Sequence, residues 1–187
     1  MNIDFHSFIR SIIKTIEAKD LYTAGHSDRV ADLAERTAIR LDLPSHEIEI
    51  IHIAGHLHDI GKIGIPEGIL LKSGKLNFEE FELLKRHSVI GYEILSEIKG
   101  FRKIAACVRS HHERPDGTGY PDHLTEKEIP RGALIITVAD AFDAMTTDRV
   151  YKKTISVEQA AAEIRHLQGR QFAPFAAEAF LDVIKYL

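Results

Sequence analysis

The sequence predicts an all-α fold, a helical bundle with a metal site in its core. Apolar residues recur at helical spacing along most of the chain, and no long alternating run typical of a strand occurs. Histidines and aspartates interrupt the apolar segments at long intervals, which suits a bundle whose facing helices each contribute one or two inward ligands. With 187 residues, of which 44% are hydrophobic, the chain can bury such a core as one domain.

Composition argues against several functional classes. The net charge of -4, with both signs mixed along the chain, does not predict a nucleic-acid surface, so we expect no DNA or RNA partner. The single cysteine, Cys107, cannot form an internal disulfide, and its apolar neighbours predict a buried, unreactive thiol. No amino-terminal apolar run resembles a signal peptide or a membrane span. We therefore expect a cytoplasmic protein without membrane insertion.

The first helix is predicted over residues 4–19, before a main domain over residues 20–187. Its apolar stripe indicates either a packing helix at the domain edge or a connecting helix from a regulatory module. The next helix begins near His26, which lies four residues before Val30 and therefore shares its inward face. By itself, His26 could equally be a hydrogen-bonded core residue.

The third helix leads into the adjacent pair His58 and Asp59. Pro44 breaks the chain before it, and Ser45 is predicted as its N-cap. Adjacent helical residues project about 100° apart, so this pair can hold one ion, or the carboxylate can bridge two. A buried aspartate without a partner would be costly. Beyond it, Gly61 is predicted to begin a loop.

Three neighbours of this pair have two interpretations each. Lys62 either complements the helix dipole or, as we expect beside a metal pair, contacts a phosphate or donates a proton. His52 and His56 are one turn apart, a spacing that can bind zinc. They lack the intervening glutamate of a zinc-protease helix, so we assign them to packing or to support of the ligands.

Further histidines follow in chain order. Asn77 begins a capping-box pattern, and the helix after it places His87 on the inward face, where Gly91 is predicted to leave room. A helix over residues 101–110 ends at His111-His112. Two adjacent histidines after an apolar helix indicate ligands rather than surface residues.

The carboxyl-terminal half supplies a loop and a buried helix. Residues 113–122 are rich in turn formers and predict a loop that shapes a wall over a site. Pro130 is predicted as the first residue of a helix with little polar surface. Asp140 in its middle would be an unpaired buried charge unless an ion or a cationic group meets it.

The last part of the chain adds basic residues and scaffold. Arg149 and Lys152 lie one turn apart if the chain is helical there, which suits a phosphate or a guanine edge, although a solvated basic turn is the simpler alternative. Ser156 is predicted to cap another helix, and residues 175–187 to close the bundle.

Five segments stand out in a fixed order: Tyr22–Ser27, His58–Pro66, Lys85–His87, His111–Glu113 with Asp116–Pro121, and Val138–Ala144. Together they resemble the HD-GYP family, a branch of the HD superfamily of metal-dependent phosphohydrolases. A bare His-Asp pair is a weak signal, whereas five ordered segments are specific. The resemblance runs from about Ala18 to the carboxyl end. It implies an HD-domain bundle over residues 20–187 that hydrolyses the bacterial second messenger cyclic di-GMP to pGpG or GMP.

The resemblance also implies roles for individual residues. The metal ligands would be His26, His58, Asp59, His87, His111, His112 and Asp140. Asp59 would bridge two ions and Lys62 would lie near the scissile phosphate. The substrate would also contact Tyr120, Arg149 and Lys152. Tyr22 stands where some members have a glutamate that supports a third ion, so we expect two.

The expected mechanism follows from these ligands. Two ions about 3.5–4 Å apart could hold a bridging hydroxide for attack on phosphorus, with Asp59 and Lys62 as the catalytic residues. Imidazole and carboxylate ligands without thiolate suit iron, manganese or nickel and are compatible with zinc. The resemblance favours iron or manganese.

Three alternatives stay open at this stage. The substrate could be cyclic GMP-AMP, or the protein could be another HD nucleotide phosphohydrolase. It could also be a catalytically silent module that binds cyclic di-GMP, although retention of all seven family ligands argues against this. A homodimer or a regulatory sensory domain or protein is compatible with the sequence.

Overall fold

The computed structural model of the protein describes residues 5–19, 25–147 and 154–185. These residues form helices and loops, with two isolated β-bridges, Asp116 to Thr125 and Gln168 to Phe172. The helices are α1 (Phe5–Lys19), α2 (His26–Arg40), α3 (Ser45–Leu57), α4 (Glu67–Leu70), α5 (Phe78–Ser96), α6 (Arg102–Ser110), α7 (Arg131–Thr146), α8 (Val157–His166) and α9 (Pro174–Ile184). A 3-10 helix, Ile60–Gly64, follows α3. The all-α prediction is confirmed.

Helix α7 is the buried axis of the bundle. Ten of its sixteen residues are buried. It packs against α2, α3, α6, α8 and α9. A helix contacted on several sides has little need for a polar face, which explains its nearly continuous apolar sequence. The predicted buried central helix is therefore confirmed.

Helices α2 and α3 form a close antiparallel pair that positions the first part of the site. The short connection between Leu41 and Pro44 turns the chain back on itself. A Cβ on Gly55 would lie 2.8 Å from the Cα of Ala31, so these small residues permit the close approach. The start of α2 consequently lies beside the end of α3, and the rings of His26 and His58 are 5.2 Å apart between centroids.

The 3-10 helix is held against α5 by a second close approach. A Cβ on Gly61 would lie 1.8 Å from the carbonyl oxygen of His87. Gly91 was predicted to leave room beside His87. A Cβ on Gly91 would instead lie 2.8 Å from Val108 and 3.2 Å from Ile60, so those two side chains occupy most of the space that this glycine leaves. These contacts bring the residues after α3 to the middle of α5.

Two predicted helix starts are wrong by one residue. Pro44, not Ser45, is the N-cap of α3, and the Ser45 side chain makes no capping hydrogen bond. Pro130 is the N-cap of α7 rather than its first residue. Both prolines are extended, with ψ of 146° and 132°. A proline loses nothing at this position because the N-cap amide takes no part in the helical hydrogen bonds.

The predicted end of the third helix also needs correction. Helix α3 ends at Leu57, His58 is its C-cap, and Asp59 lies in the turn before the 3-10 helix. The two residues are therefore displayed by a tight turn rather than by a continuous helix. Two other predictions are confirmed, because Asn77 and Ser156 each form a complete capping box.

Helix α1 lies along the 3-10 helix and α3. Ile9, Ile13 and Ile16 are buried, and they are continuous with the main hydrophobic core. The ammonium of Lys19 donates to the carbonyl oxygen of Ile65 at 2.9 Å. Across the described ranges, no helix combines the length and hydrophobicity that a bilayer span requires.

Candidate metal centre

Six histidine and aspartate side chains converge in two groups of three. One group is His26, His58 and Asp140, and the other is His87, His111 and His112. Within each group, one nitrogen or oxygen from every residue lies within 4.8 Å of the others. Each group therefore has donor atoms close enough to surround one ion.

Asp59 lies between the two groups and faces both. Its Oδ2 is 3.4 Å from Nε2 of His58 and 4.0 Å from Nε2 of His26. Its Oδ1 is 3.5 Å from Nε2 of His87. A carboxylate placed in this way can give one oxygen to each of two ions. Asp59 is also 2.8 Å from the ammonium of Lys62, through Oδ2.

One hydrogen bond recurs in three of the histidines. In His58, His87 and His111, Nδ1 lies within hydrogen-bond distance of the carbonyl oxygen three residues earlier. The acceptors are Gly55, Leu84 and Val108, at 2.7, 2.8 and 2.6 Å. A carbonyl oxygen only accepts, so Nδ1 carries the proton and Nε2 keeps its lone pair. This arrangement is typical of metal-binding histidines, whose second nitrogen is fixed by a hydrogen bond.

His58 provides the clearest test of whether the site fits a metal. Its ring is fully buried, and its Nε2 has no hydrogen-bond partner among the described residues. An unpaired buried acceptor is costly unless something else satisfies it. Because neighbouring donor atoms surround it and Asp59 is close, a divalent ion fits this position.

His26 is oriented by a carboxylate that the sequence analysis did not identify. Its Nδ1 donates to Oδ2 of Asp143 at 2.6 Å, and Arg29 also donates to Asp143. Burial opposes ionisation of the Asp143 carboxyl group. The hydrogen bonds from His26 and Arg29 nevertheless lower its pKa to about 2. Asp143 follows Asp140 by three residues and so shares its helix face, which is the signal that could have revealed it.

The carboxylates at the centre are held in their ionised form. Burial opposes ionisation of Asp59, but Lys62 and His58 keep its pKa well below the ordinary value. Burial likewise opposes ionisation of Asp140, yet the hydrogen bond from His26 lowers its pKa. Asp140, predicted to need an ion or a cation, lies 3.3 Å from Nε2 of His26. Both carboxylates are in the state that binds metal.

The second histidine group is held neutral. Burial and the neighbouring His112 keep the pKa of His111 well below its usual value. Burial and His87 lower that of His112 to about 3, and burial also lowers that of His87. His26 differs, because its carboxylate neighbours overcome burial and raise its pKa to about 9. A metal at the first group would take the place of that proton.

The predicted loop is present, and its Tyr120 side chain lies on the side that faces the histidine cluster. The Tyr120 ring lies 4.8 Å from that of His112 at a tilt of 30°, and its amide donates to the His112 carbonyl oxygen at 3.2 Å. Burial and the Asp140 and Asp59 carboxylates raise the pKa of its phenol. The phenol therefore keeps its proton and remains a hydrogen-bond donor.

Two loop residues that the sequence analysis did not single out hold Tyr120 in place. Glu113 is fully buried, and its carboxylate accepts from the amides of Asp122 and Leu124 at 2.6 and 3.0 Å. A Cβ on Gly119 would lie 2.4 Å from the amide nitrogen of Arg114. The loop is thus folded around a buried carboxylate, whose charge is met by two main-chain amides.

The structure therefore brings together all seven predicted ligands, with Lys62 and Tyr120 at the edge of the cluster. Arg149 and Lys152, predicted to contact substrate, lie outside the described residues, as does Tyr22. His52 and His56 do not belong to either group of three.

The fold and this cluster define the chain as a member of the HD-domain family. The family's sequence profile, described as HD domain, matches residues 10–174. The HD-GYP resemblance is also confirmed. A cyclic di-GMP phosphodiesterase of Thermotoga maritima is 42% identical, over 97% of this chain and 51% of its own length. A Vibrio cholerae protein named 3′3′-cGAMP-specific phosphodiesterase 2 is 37% identical, over 93% of this chain and 34% of its own length.

A solved structure supports the fold independently. The Vibrio cholerae cyclic GMP-AMP-specific phosphodiesterase V-cGAP3 superposes with a TM-score of 0.71 at 17% identity, over 95% of this chain and 48% of that chain. At this identity the likeness concerns the fold alone. The chain spans about half the length of the Thermotoga relative, or less in the case of the Vibrio proteins.

Proposed function

We propose that this protein is a metal-dependent phosphodiesterase that hydrolyses cyclic di-GMP to pGpG or GMP. The observation that carries the proposal is the position of Asp59, whose two oxygens face two separate groups of three possible ligands. Two-metal sites of this kind are characteristic of phosphoester hydrolysis. The similarity to the Thermotoga cyclic di-GMP phosphodiesterase favours this substrate.

The two ions would be held by the seven residues. His26, His58 and Asp140 would bind one ion, His87, His111 and His112 the other, and Asp59 would bridge them. Divalent metals are used by HD-domain phosphohydrolases. The donor set of imidazole and carboxylate suits iron, manganese or nickel and is compatible with zinc, and the family resemblance favours iron or manganese. Bound in this way, the ions would activate a water molecule and offset the charge of the phosphate.

Lys62 would act on the reacting phosphodiester. Its ammonium lies beside Asp59 and its side chain is 17% exposed, so it can reach a substrate at the centre. An ammonium there would offset charge on the phosphate oxygens and donate a proton to the departing 3′ oxygen. Its contact with Asp59 supports this role, because it keeps the ammonium beside the expected bridging carboxylate.

Tyr120 would contact the substrate from the loop wall. Its ring stacks beside His112, and its phenol stays protonated, so it offers both an aromatic face and a hydrogen-bond donor. We propose that Arg149 and Lys152 add contacts to a phosphate or a guanine edge. Any regulatory domain or second subunit remains a prediction from the sequence.

Cyclic GMP-AMP is the second candidate substrate. It is favoured by the relative named 3′3′-cGAMP-specific phosphodiesterase 2, at 37% identity over 93% of this chain. Both cyclic dinucleotides present the same phosphodiester backbone to the metal centre. Discrimination between guanine and adenine therefore depends on contacts away from the seven ligands.

The test is hydrolysis of cyclic di-GMP and of cyclic GMP-AMP by protein loaded without oxygen with iron(II) or manganese(II). We expect the wild type and the exposed Glu49→Ala control to release linear product, and Asp59→Ala to bind less metal and to release none. Products separated by chromatography would show whether cleavage stops at pGpG. Turnover by Asp59→Ala would contradict the proposed mechanism, and a metal-loaded wild type without activity on either dinucleotide would overturn the substrate class.

A further inference from the structure

A second cluster of histidines and carboxylates lies between α2 and α3, outside the seven ligands. Helix α2 contributes Asp28, Asp32 and Glu35, and helix α3 contributes His52 and His56. Nδ1 of His52 is 3.2 Å from Oε2 of Glu35. Asp32, Glu35 and His52 each offer one donor atom, and these three atoms lie within 4.8 Å of one another.

The two histidines continue this cluster as a chain of polar contacts. Nε2 of His52 lies 3.1 Å from Nε2 of His56, in hydrogen-bond geometry, with the rings perpendicular. Nδ1 of His56 then lies 3.2 Å from Oδ1 of Asp28.

The protons of these three contacts show what the cluster lacks. Two neutral imidazole rings carry two N–H protons, whereas the contacts are three: His52 Nδ1 with Glu35, Nε2 with Nε2, and His56 Nδ1 with Asp28. One Nδ1 atom is therefore left with its lone pair against a carboxylate, and Nδ1 of His52 and Nδ1 of His56 are both buried without a hydrogen bond within the described residues. Two acceptors in contact need a proton or a metal ion between them. At the Glu35 end, Asp32 offers a further donor atom, so that end suits a metal ion.

We propose that His52, Glu35 and Asp32 bind a divalent transition-metal ion, with zinc as the best match, at a site separate from the candidate metal centre. Ligands about 2.0–2.2 Å from one ion lie roughly 3.0–3.6 Å from each other, so the 3.2 Å between Nδ1 of His52 and Oε2 of Glu35 suits two ligands of one ion. One imidazole and two carboxylates are ordinary zinc ligands, and the remaining coordination position would be taken by water.

Access and support are also consistent with a bound ion. Asp32 is exposed and the Glu35 side chain is 39% exposed, so an ion can enter from solvent and Asp32 can turn towards it. His56 and Asp28 fix the protonated nitrogen of His52, as carboxylate-supported histidines do in metal sites. The ion would tie α2 to α3, the helices that lead to His26 and His58.

Zinc binding to the full chain tests this site. Equilibrium dialysis against excess zinc, followed by elemental analysis, is compared for the wild type, His52→Ala, Glu35→Gln and the exposed control Glu49→Gln. We expect each of the two site variants to bind one zinc per chain fewer than the wild type and the control. Equal zinc content in all four proteins would overturn the proposal.

A second readout separates this site from the candidate metal centre and does not depend on catalysis. In nitrogen NMR spectra of the wild type, zinc should change the chemical shift of the Nδ1 resonance of His52, while Nε2 of His52 keeps its proton. Glu35→Gln, which nearly preserves the side chain's shape, should abolish the shift. If the spectra instead show a proton on Nδ1 of His52 in the presence of zinc, the cluster is a proton-sharing chain and the metal site is excluded.

Discussion

Four of the five histidines at the candidate metal centre, His26, His58, His87 and His111, are held by a hydrogen bond from Nδ1. Three of these bonds go to a carbonyl oxygen three residues earlier in the chain, as in His58 with Gly55. His26 instead donates to Asp143, on another helix. A backbone carbonyl acceptor is present whatever the side chain, so a substitution cannot remove it. A side-chain acceptor such as Asp143 can be removed by one substitution. Asp143 is therefore the most informative supporting residue to change.

We predict that Asp143→Asn weakens metal binding about 10–100-fold, the usual effect of removing a supporting partner of a metal-binding histidine. The amide keeps the shape of the side chain but loses the charge that orients His26 and Arg29. The matched control is Asp182→Asn, which removes a surface carboxylate paired with Arg40 and Lys185. Manganese titration measures the affinities, and equal affinity in Asp143→Asn and wild type would contradict the role.

The unfolding free energies of the wild type and of Asp143→Asn should also differ in their dependence on pH. The folded-state pKa of Asp143 is lowered to about 2, so its ionised form stabilises the fold above the ordinary aspartate pKa of about 3.9. This contribution is lost as pH falls through about 2. The difference in unfolding free energy between wild type and Asp143→Asn should therefore be largest near neutral pH and shrink in acid.

At the scale of elements, the contact of the 3-10 helix with α5 decides how close Asp59 comes to His87. Gly61 has no side chain, and its backbone lies against the His87 carbonyl. A Cβ there would need the two elements to separate, because backbone atoms cannot rotate out of the way. The distance between the two halves of the site thus depends on one glycine.

We predict that Gly61→Ala lowers the free energy of unfolding by about 1–3 kcal/mol or more, as overpacking at a rigid contact does. It should also reduce metal affinity, since the Asp59 Oδ1 to His87 Nε2 distance of 3.5 Å would grow. The control is Gly74→Ala, whose added Cβ would meet no atom within 4 Å. Urea unfolding measures the stability. An equal change of stability in both variants would contradict the close contact of Gly61 with His87 as the cause.

At the scale of the whole molecule, the two ligand groups draw on five helices and the turns that follow them. The start of α2, the ends of α3 and α6, and the inner faces of α5 and α7 all meet at Asp59. No two of these segments are held together at the site by a disulfide, since the chain has one cysteine. A metal that binds the folded state would therefore stabilise the entire bundle.

We predict that manganese raises the unfolding temperature of the wild type. Free metal at about 100 times its dissociation constant adds about 2.7 kcal/mol, which corresponds to roughly 5–11 °C for a protein of this size. A chelator should reverse the increase, and Asp59→Ala should show much less of it. Differential scanning calorimetry gives the measurement. An increase of the same size in Asp59→Ala would mean that manganese acts elsewhere.

Local pattern was enough to predict the longer helices, the buried axis α7 and the capping boxes at Asn77 and Ser156, and five ordered motifs gave the resemblance to the HD-GYP family. These features depend on residues near one another in sequence, so periodicity and short motifs carry them. The 3-10 helix Ile60–Gly64 and the short helix α4 were not predicted, because a loop was expected from Gly61. The seven expected ligands were also identifiable one at a time from their segments. The boundaries at Ser45 and Pro130 were not, because helix starts depend on backbone angles that several residue types permit.

Only the tertiary structure decided how these residues are combined. It divides the ligands into two groups, places the two oxygens of Asp59 between them, and assigns Asp143 and Glu113 to positioning. It also joins His52 and His56 to each other and to the carboxylates of Glu35 and Asp28 on α2. The physical reason is that distances between side chains far apart in sequence are set by helix packing, which depends on close contacts such as Gly61 with His87 and not on any local pattern.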